Sequence, residues 1–110
     1  MSHQKPGQPQ QPANQKDEDA VAFAQGIFDL ARNGGAGPLS VMLNAGVPAN
    51  MRTSEGDSLL MLASRNGHGE TVQLLLENGA DTEARNDRGE TALSMARSDD
   101  IRSLISDREK

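Results

Sequence analysis

The chain has 110 residues with 11 Lys and Arg against 16 Asp and Glu, a net charge of −5, which leaves room for one small domain plus a tail. That balance argues against wholesale binding to nucleic acid or anionic lipid, which runs on a basic excess, and zero Cys excludes disulfides, thiolate catalysis and Cys-based zinc sites. Only 35% of the residues are hydrophobic and the aromatics are Phe23 and Phe28 alone, so a core must come from Leu, Ile, Val, Ala and Met, which suits closely packed helices better than a β-sandwich.

Residues 1–16, MSHQKPGQPQQPANQK, hold three of the five prolines and a run of Gln, too little apolar surface to offset ordering, and are expected to be a disordered tail. They carry no apolar stretch of the secretory kind, and no segment of the chain is long and apolar enough to span a bilayer, so a soluble cytoplasmic protein is expected. The tail's two lysines leave −7 for residues 17–110. Asp17-Glu18-Asp19 then offers negative charge suited to a helix start. Phe23, Ile27, Leu30 and Ala31 follow at helical spacing, widened by Val21, Ala24 and Phe28, up to a stop at Asn33-Gly34-Gly35. Pro38 sits in the first turn of a second, short helix with Leu39, Val41, Met42 and Leu43, ending at Gly46.

A shift of 33 places Gly34 on Gly67, Leu39 on Val72, Leu43 on Leu76 and Gly46 on Gly79. The same shift places Gly56 on Gly89, Ser58 on Thr91, Leu60 on Leu93, Leu62 on Met95, Ala63 on Ala96, Arg32 on Arg65 and Arg52 on Arg85. So many matches at one spacing define a repeat protein. The apolar residues of one unit, Leu60, Leu62, Ala63, Val72, Leu75 and Leu76, cannot all be buried within it; stacked neighbours must cover them. Three units are about the minimum for such an array, so modest stability near 5 kcal/mol is expected.

The middle unit, GDSLLMLASRNGH over 56–68 and ETVQLLLENGAD over 70–81, closely resembles an ankyrin repeat, with its Gly-His turn, its Leu-Leu-Leu helix and its Gly-Ala-Asp end. Ser58, Leu59 and Met61 stand where the family pattern has Thr, Pro and His, which relaxes the polar bracing of the first helix. The resemblance covers about residues 20–106. It implies an all-α, short ankyrin-type solenoid of about three helix-turn-helix repeats, near 20–52, 53–85 and 86–107, joined by β-hairpin-like loops. The third repeat loses about three residues in its helix–helix turn, where Asp99 or Asp100 would cap a last helix with Ile101, Leu104 and Ile105 on its apolar side. The chain is similar to small bacterial ankyrin-repeat proteins.

Chemistry-bearing constellations are scarce. His68 has no nucleophile or orienting carboxylate at a useful spacing, and its family position implies a structural role. Ser54-Glu55-Gly56-Asp57 and Asp87-Arg88-Gly89-Glu90 lack calcium-loop spacing, and Gly34-Gly35-Ala36-Gly37 lacks the Lys and Ser or Thr of a phosphate loop. Met42, Met51, Met61 and Met95 fall mainly at packing positions. No catalytic residue, metal or cofactor is expected, and the chain is read as no enzyme.

The resemblance implies that loop tips and first-helix ends face a partner protein. On this chain these are Arg52, Ser54, Glu55, Asp57, Arg65 and Asn66 in the middle repeat, and Arg85, Asp87, Arg88 and Glu90 in the next loop. Arg32 and Arg65 with Arg97 close by, and Arg52 with Arg85, then form two rows on the concave side, suited to an acidic segment of a partner. The competing expectation is that these arginines only neutralise Glu55, Asp57, Asp87 and Glu90 beside them. A non-catalytic binding module, acting as inhibitor or stabiliser, is therefore expected, and as a monomer. The alternatives are a small-molecule-binding or accessory enzyme, a weak non-specific nucleic-acid binder, and self-association if the short third repeat exposes Leu104 or Ile105.

Overall fold

The computed structural model describes the backbone of residues 10–109 and the side chains of residues 20–108. Within that span lie six helices: α1 (Gln10–Asn33), α2 (Ala36–Asn44), α3 (Leu59–Arg65), α4 (Gly69–Glu77), α5 (Ala92–Met95) and α6 (Asp99–Glu109). The only strand-like pairing among the described residues is an isolated antiparallel bridge between Arg52 and Ser58. None of these helices is long and apolar enough to cross a membrane.

The helices pair as α1 with α2, α3 with α4 and α5 with α6, and first helices stack on first helices (α1 on α3, α3 on α5) while second helices stack on second (α2 on α4, α4 on α6). That is the expected array of three units. Its spacing is written in the backbone as well: Gly34 and Gly67 have φ of 78° and 79°, and Gly56 and Gly89 have 84° and 78°. At Gly34 the glycine is doubly required, because a Cβ there would lie 2.6 Å from the His68 ring.

The core runs continuously through the stack. Ile27, Phe28 and Ala31 of α1, Leu39 and Leu43 of α2, and Ile101 and Ile105 of α6 close on the middle unit. There, every residue from Leu59 to Ser64 is buried. A seven-residue helix buried on all sides is what a central unit needs, since it has a neighbour on each face.

Several local expectations change. The first helix begins at Gln10, inside the stretch read as tail, and Asp17-Glu18-Asp19 therefore lies within the helix and not at its start. Pro12 falls in the first turn, where its missing N–H would have had no partner in any case. The rest of the proposed tail, residues 1–9, lies outside the described residues. The second helix starts at Ala36, two residues before Pro38.

The third unit is shortened, but not in its helix–helix turn, which keeps three residues (96–98, against 66–68); the loss falls in α5, four residues long against seven for α3. Ser98, not Asp99 or Asp100, caps α6: its hydroxyl accepts the Ile101 N–H at 3.3 Å, and both aspartates occupy the first turn. Nor does the short unit leave Ile105 open, for Ile105 is fully buried and Leu104 half-buried against the core.

Candidate functional site

The surface singled out by the repeat spacing is built from two kinds of position. Hairpin loops between units carry Arg52 to Asp57 and Arg85 to Glu90, and the ends of the first helices carry Arg32 and Arg65.

Each hairpin is braced by one side-chain oxygen near its base. In the first, the Thr53 hydroxyl accepts the N–H groups of Glu55 and Asp57, both at 3.2 Å. In the second, Asn86 Oδ1 accepts the N–H groups of Arg88 and Glu90, at 3.0 and 2.9 Å. Thr53 and Asn86 are 33 residues apart, so they fill one structural position with two different residue types, each a natural turn-stabiliser.

Asn86 does more. Its amide donates to Asp57 Oδ1 and to Glu90 Oε1, both at 2.8 Å, tying the second hairpin to the first. The backbone joins the same pair, with Asp87 N–H donating to Glu55 O at 3.1 Å and Arg52 donating to Arg85 O at 2.9 Å. Sequence reasoning passed over Asn86; its alignment with Thr53 at the repeat spacing was the signal available.

The hairpin–helix junctions are equally defined. Ser58 caps α3 by accepting the Met61 N–H at 3.2 Å, and Met61 Sδ accepts the Ser58 N–H at 3.5 Å. The reciprocal cap usually made with a polar third residue is thus completed here by a thioether. Thr91 and Ser94 make the equivalent pair in the third unit with two hydroxyls. His68 is used structurally: its Nε2 donates to the Arg32 carbonyl at 2.9 Å, so it closes the end of α1 from the next repeat.

The structure sorts the expected partner-facing residues. Asp57 is not available to a partner: it is 3% exposed and bonded to Asn86, with Arg65 at 3.7 Å. Arg65 therefore folds back along α3 to the hairpin. Asn66 spends its amide on the Leu62 carbonyl at 2.8 Å, and Glu90, half-buried, pairs with Arg88 at 3.3 Å. Arg32 pairs with Asp29 at 2.7 Å.

Ser54, Glu55 and Asp87 remain at the exposed tips, and Glu55, Asp87 and Arg88 line a depression of about 130 Å³ between them. Arg52 and Arg85 are exposed and each gives one N–H to a neutral carbonyl, that of Arg85 and that of Gly89, both at 2.9 Å. Arg97 is exposed, its stem covers Gly67, and its side chain makes no ion pair or hydrogen bond among the described residues. So Arg65 pairs with Asp57 and Arg88 with Glu90, Arg32 pairs instead with Asp29 of its own helix, and Arg52, Arg85 and Arg97 make no ion pair among the described residues.

Helix pairs stacked at a fixed repeat, with braced hairpins side by side along one edge, define a solenoid repeat protein. Residues 42–96 match the family described as ankyrin repeats (many copies). The chain belongs to the ankyrin-repeat family.

Among its relatives, an ankyrin repeat protein of Pseudomonas aeruginosa is 46% identical over 63 residues, 57% of this chain and 37% of that protein. One from Pyrobaculum aerophilum is 40% identical over 77 residues, 70% of this chain and 28% of that protein. The fold is similar to the ankyrin repeat domain of Bcl-3, a member of the IkappaB protein family, with a TM-score of 0.70 and 26% identity over 73% of this chain and 35% of that one. The chain thus spans between 28% and 37% of the lengths of these three proteins. Ankyrin repeats are generally protein–protein interaction modules, and among the described residues no group of His, Cys, Asp or Glu is placed to hold a metal ion.

Proposed function

We propose that the chain is a non-catalytic protein-binding module, acting as an inhibitor or stabiliser, whose concave side takes an acidic segment of a partner protein on Arg52 and Arg85 of the hairpins and Arg97 at the far end of the first helices. The observation that carries this reading is how Arg52 and Arg85 are held. Each spends one donor on a carbonyl oxygen, which fixes the guanidinium without cancelling its charge and leaves the rest of the fork to solvent. A cation fixed in advance loses less freedom when it pairs with a carboxylate. Glu55 and Asp87 at the adjacent tips supply the opposite sign, which sets the direction in which a partner's acidic stretch lies across the surface.

The test uses a labelled peptide of about ten Asp and Glu residues, titrated onto the full chain and onto an Arg85→Glu/Arg97→Glu variant at rising salt. Both side chains are exposed, so the variant keeps its helical circular dichroism. The expected result is binding that weakens with salt and falls about ten- to a hundredfold in the variant. Equal affinity for both forms removes the arginine edge as the site.

A further inference from the structure

The two ends of the array differ in chemistry. At the C-terminal end, α6 buries Ile101 and Ile105 and shows Arg102, Ser103 and Asp107 to solvent; none of the exposed large hydrophobics among the described residues lies there. At the other end, α1 and α2 use one side to pack on α3 and α4, and their opposite side carries Phe23, Leu30, Pro38, Val41 and Met42, with Asp29 and Asn33 at its margin. Phe23 is 54% exposed and Val41 66%. Between the two helices runs a groove of about 350 Å³ lined by Phe23, Gly26, Leu30, Pro38 and Met42 among others. Helical spacing puts Phe23, Gly26 and Leu30 on one face of α1, and Pro38, Val41 and Met42 on one face of α2. A Cβ at Gly26 would meet nothing within 4 Å, so another helix can approach the α1 backbone closely there.

We infer that this end face is an interface between two copies of the chain, joined first repeat to first repeat about a two-fold axis. The face continues the stacking interface that holds the array together: it is the side on which a further helix pair would sit, and it has the apolar chemistry of the stacked faces. Residues 1–9, MSHQKPGQP, contain Met1 as their one large apolar side chain and cannot supply such a cover. A head-to-tail contact would set the groove against Arg102, Ser103 and Asp107 and bury their polar groups without partners. Contact of the apolar face with itself avoids that cost and closes the assembly at two copies. Specific dimers bury about 1,200 Å² or more in all, and a face made of one helix pair falls at the low end of that scale. The dimer is accordingly weak, replaces the monomer expected from the sequence, and owes nothing to the arginine edge.

The experiment is sedimentation equilibrium of the full chain from about 10 μM to about 1 mM. The mass should rise from 11.7 kDa toward twice that value. Association should strengthen with salt, because salt screens the repulsion between two chains of charge −5 and does not weaken an apolar contact; binding of an acidic peptide at the arginine edge weakens with salt, which keeps the two readings separable. Phe23→Glu should raise the dissociation constant about thirtyfold or more while leaving thermal unfolding unchanged. Since the natural chain has no Cys, Ala22→Cys should crosslink to its copy with a short bis-maleimide, and Ser103→Cys at the far end should not. A monomer mass at every concentration, a dimer indifferent to Phe23→Glu, or crosslinking through Ser103→Cys would each overturn the inference.

Discussion

The middle and third repeats are the same unit built to different depths. In the middle one, α3 has seven residues, of which six are buried, and it ends in a Gly67-His68 turn whose amides bond back to Ser64 and Ala63. In the third, α5 has four residues with Ala92 alone buried. No glycine follows; the Arg97 N–H reaches across to the Ser64 carbonyl of the neighbouring unit at 3.1 Å. Flanking neighbours explain the difference. A central unit can be apolar on both faces, while the third unit, with a neighbour on one side only, is short and polar on its outer side. The family resemblance predicts the unit; position in the stack decides how much of it survives.

Leu60 and Leu93 occupy one position in that comparison, the first fully buried and the second half-buried. Leu60→Ala should cost about 3 kcal/mol or more, and Leu93→Ala about 1 kcal/mol, read from urea unfolding followed by circular dichroism. Equal costs would break the contrast. The hairpin braces come next. Asn86→Ala strips a buried hub of two donors and an acceptor and should cost about 2 kcal/mol, whereas Thr53→Ala, at the equivalent half-buried position, should cost about 1 kcal/mol by the same measurement. Smallest is the difference between the caps. Ser58→Ala and Thr91→Ala should each cost about 1 kcal/mol, with Ser58→Ala the larger because its site is dry, and melting temperatures ranked in that order would sharpen the picture.

Much of this was legible beforehand because a repeat states its own alignment. Gly34 with Gly67, Leu60 with Leu93 and Ser58 with Thr91 are matches at one spacing, and each corresponds to a shared backbone or capping feature. What escaped depended on the path of the chain between matches. Ser98, Asp99 and Asp100 are all good helix caps, and the early end of α5, which the repeat spacing does not foretell, selects the first. Asp57 reads as a loop-tip carboxylate until the neighbouring hairpin is seen to cover it with Asn86. Arg65 reads as a free cation until its reach back to Asp57 is measured. The hydrophobic pattern likewise marks Phe23 as a core residue, and only the absence of a unit beyond α1 among the described residues leaves it open to solvent.

The hairpin-to-hairpin bonds also bear on how the molecule assembles in time. Arg52 to Arg85, Asp87 to Glu55 and His68 to Arg32 each join points 32 to 36 residues apart, so every step closes a loop of nearly the same length and pays nearly the same entropic toll. The order of events then rests on how much each unit buries. The α3–α4 hairpin, the most buried, is expected to nucleate, with growth in both directions and the stub of α5 last to join and first to fray.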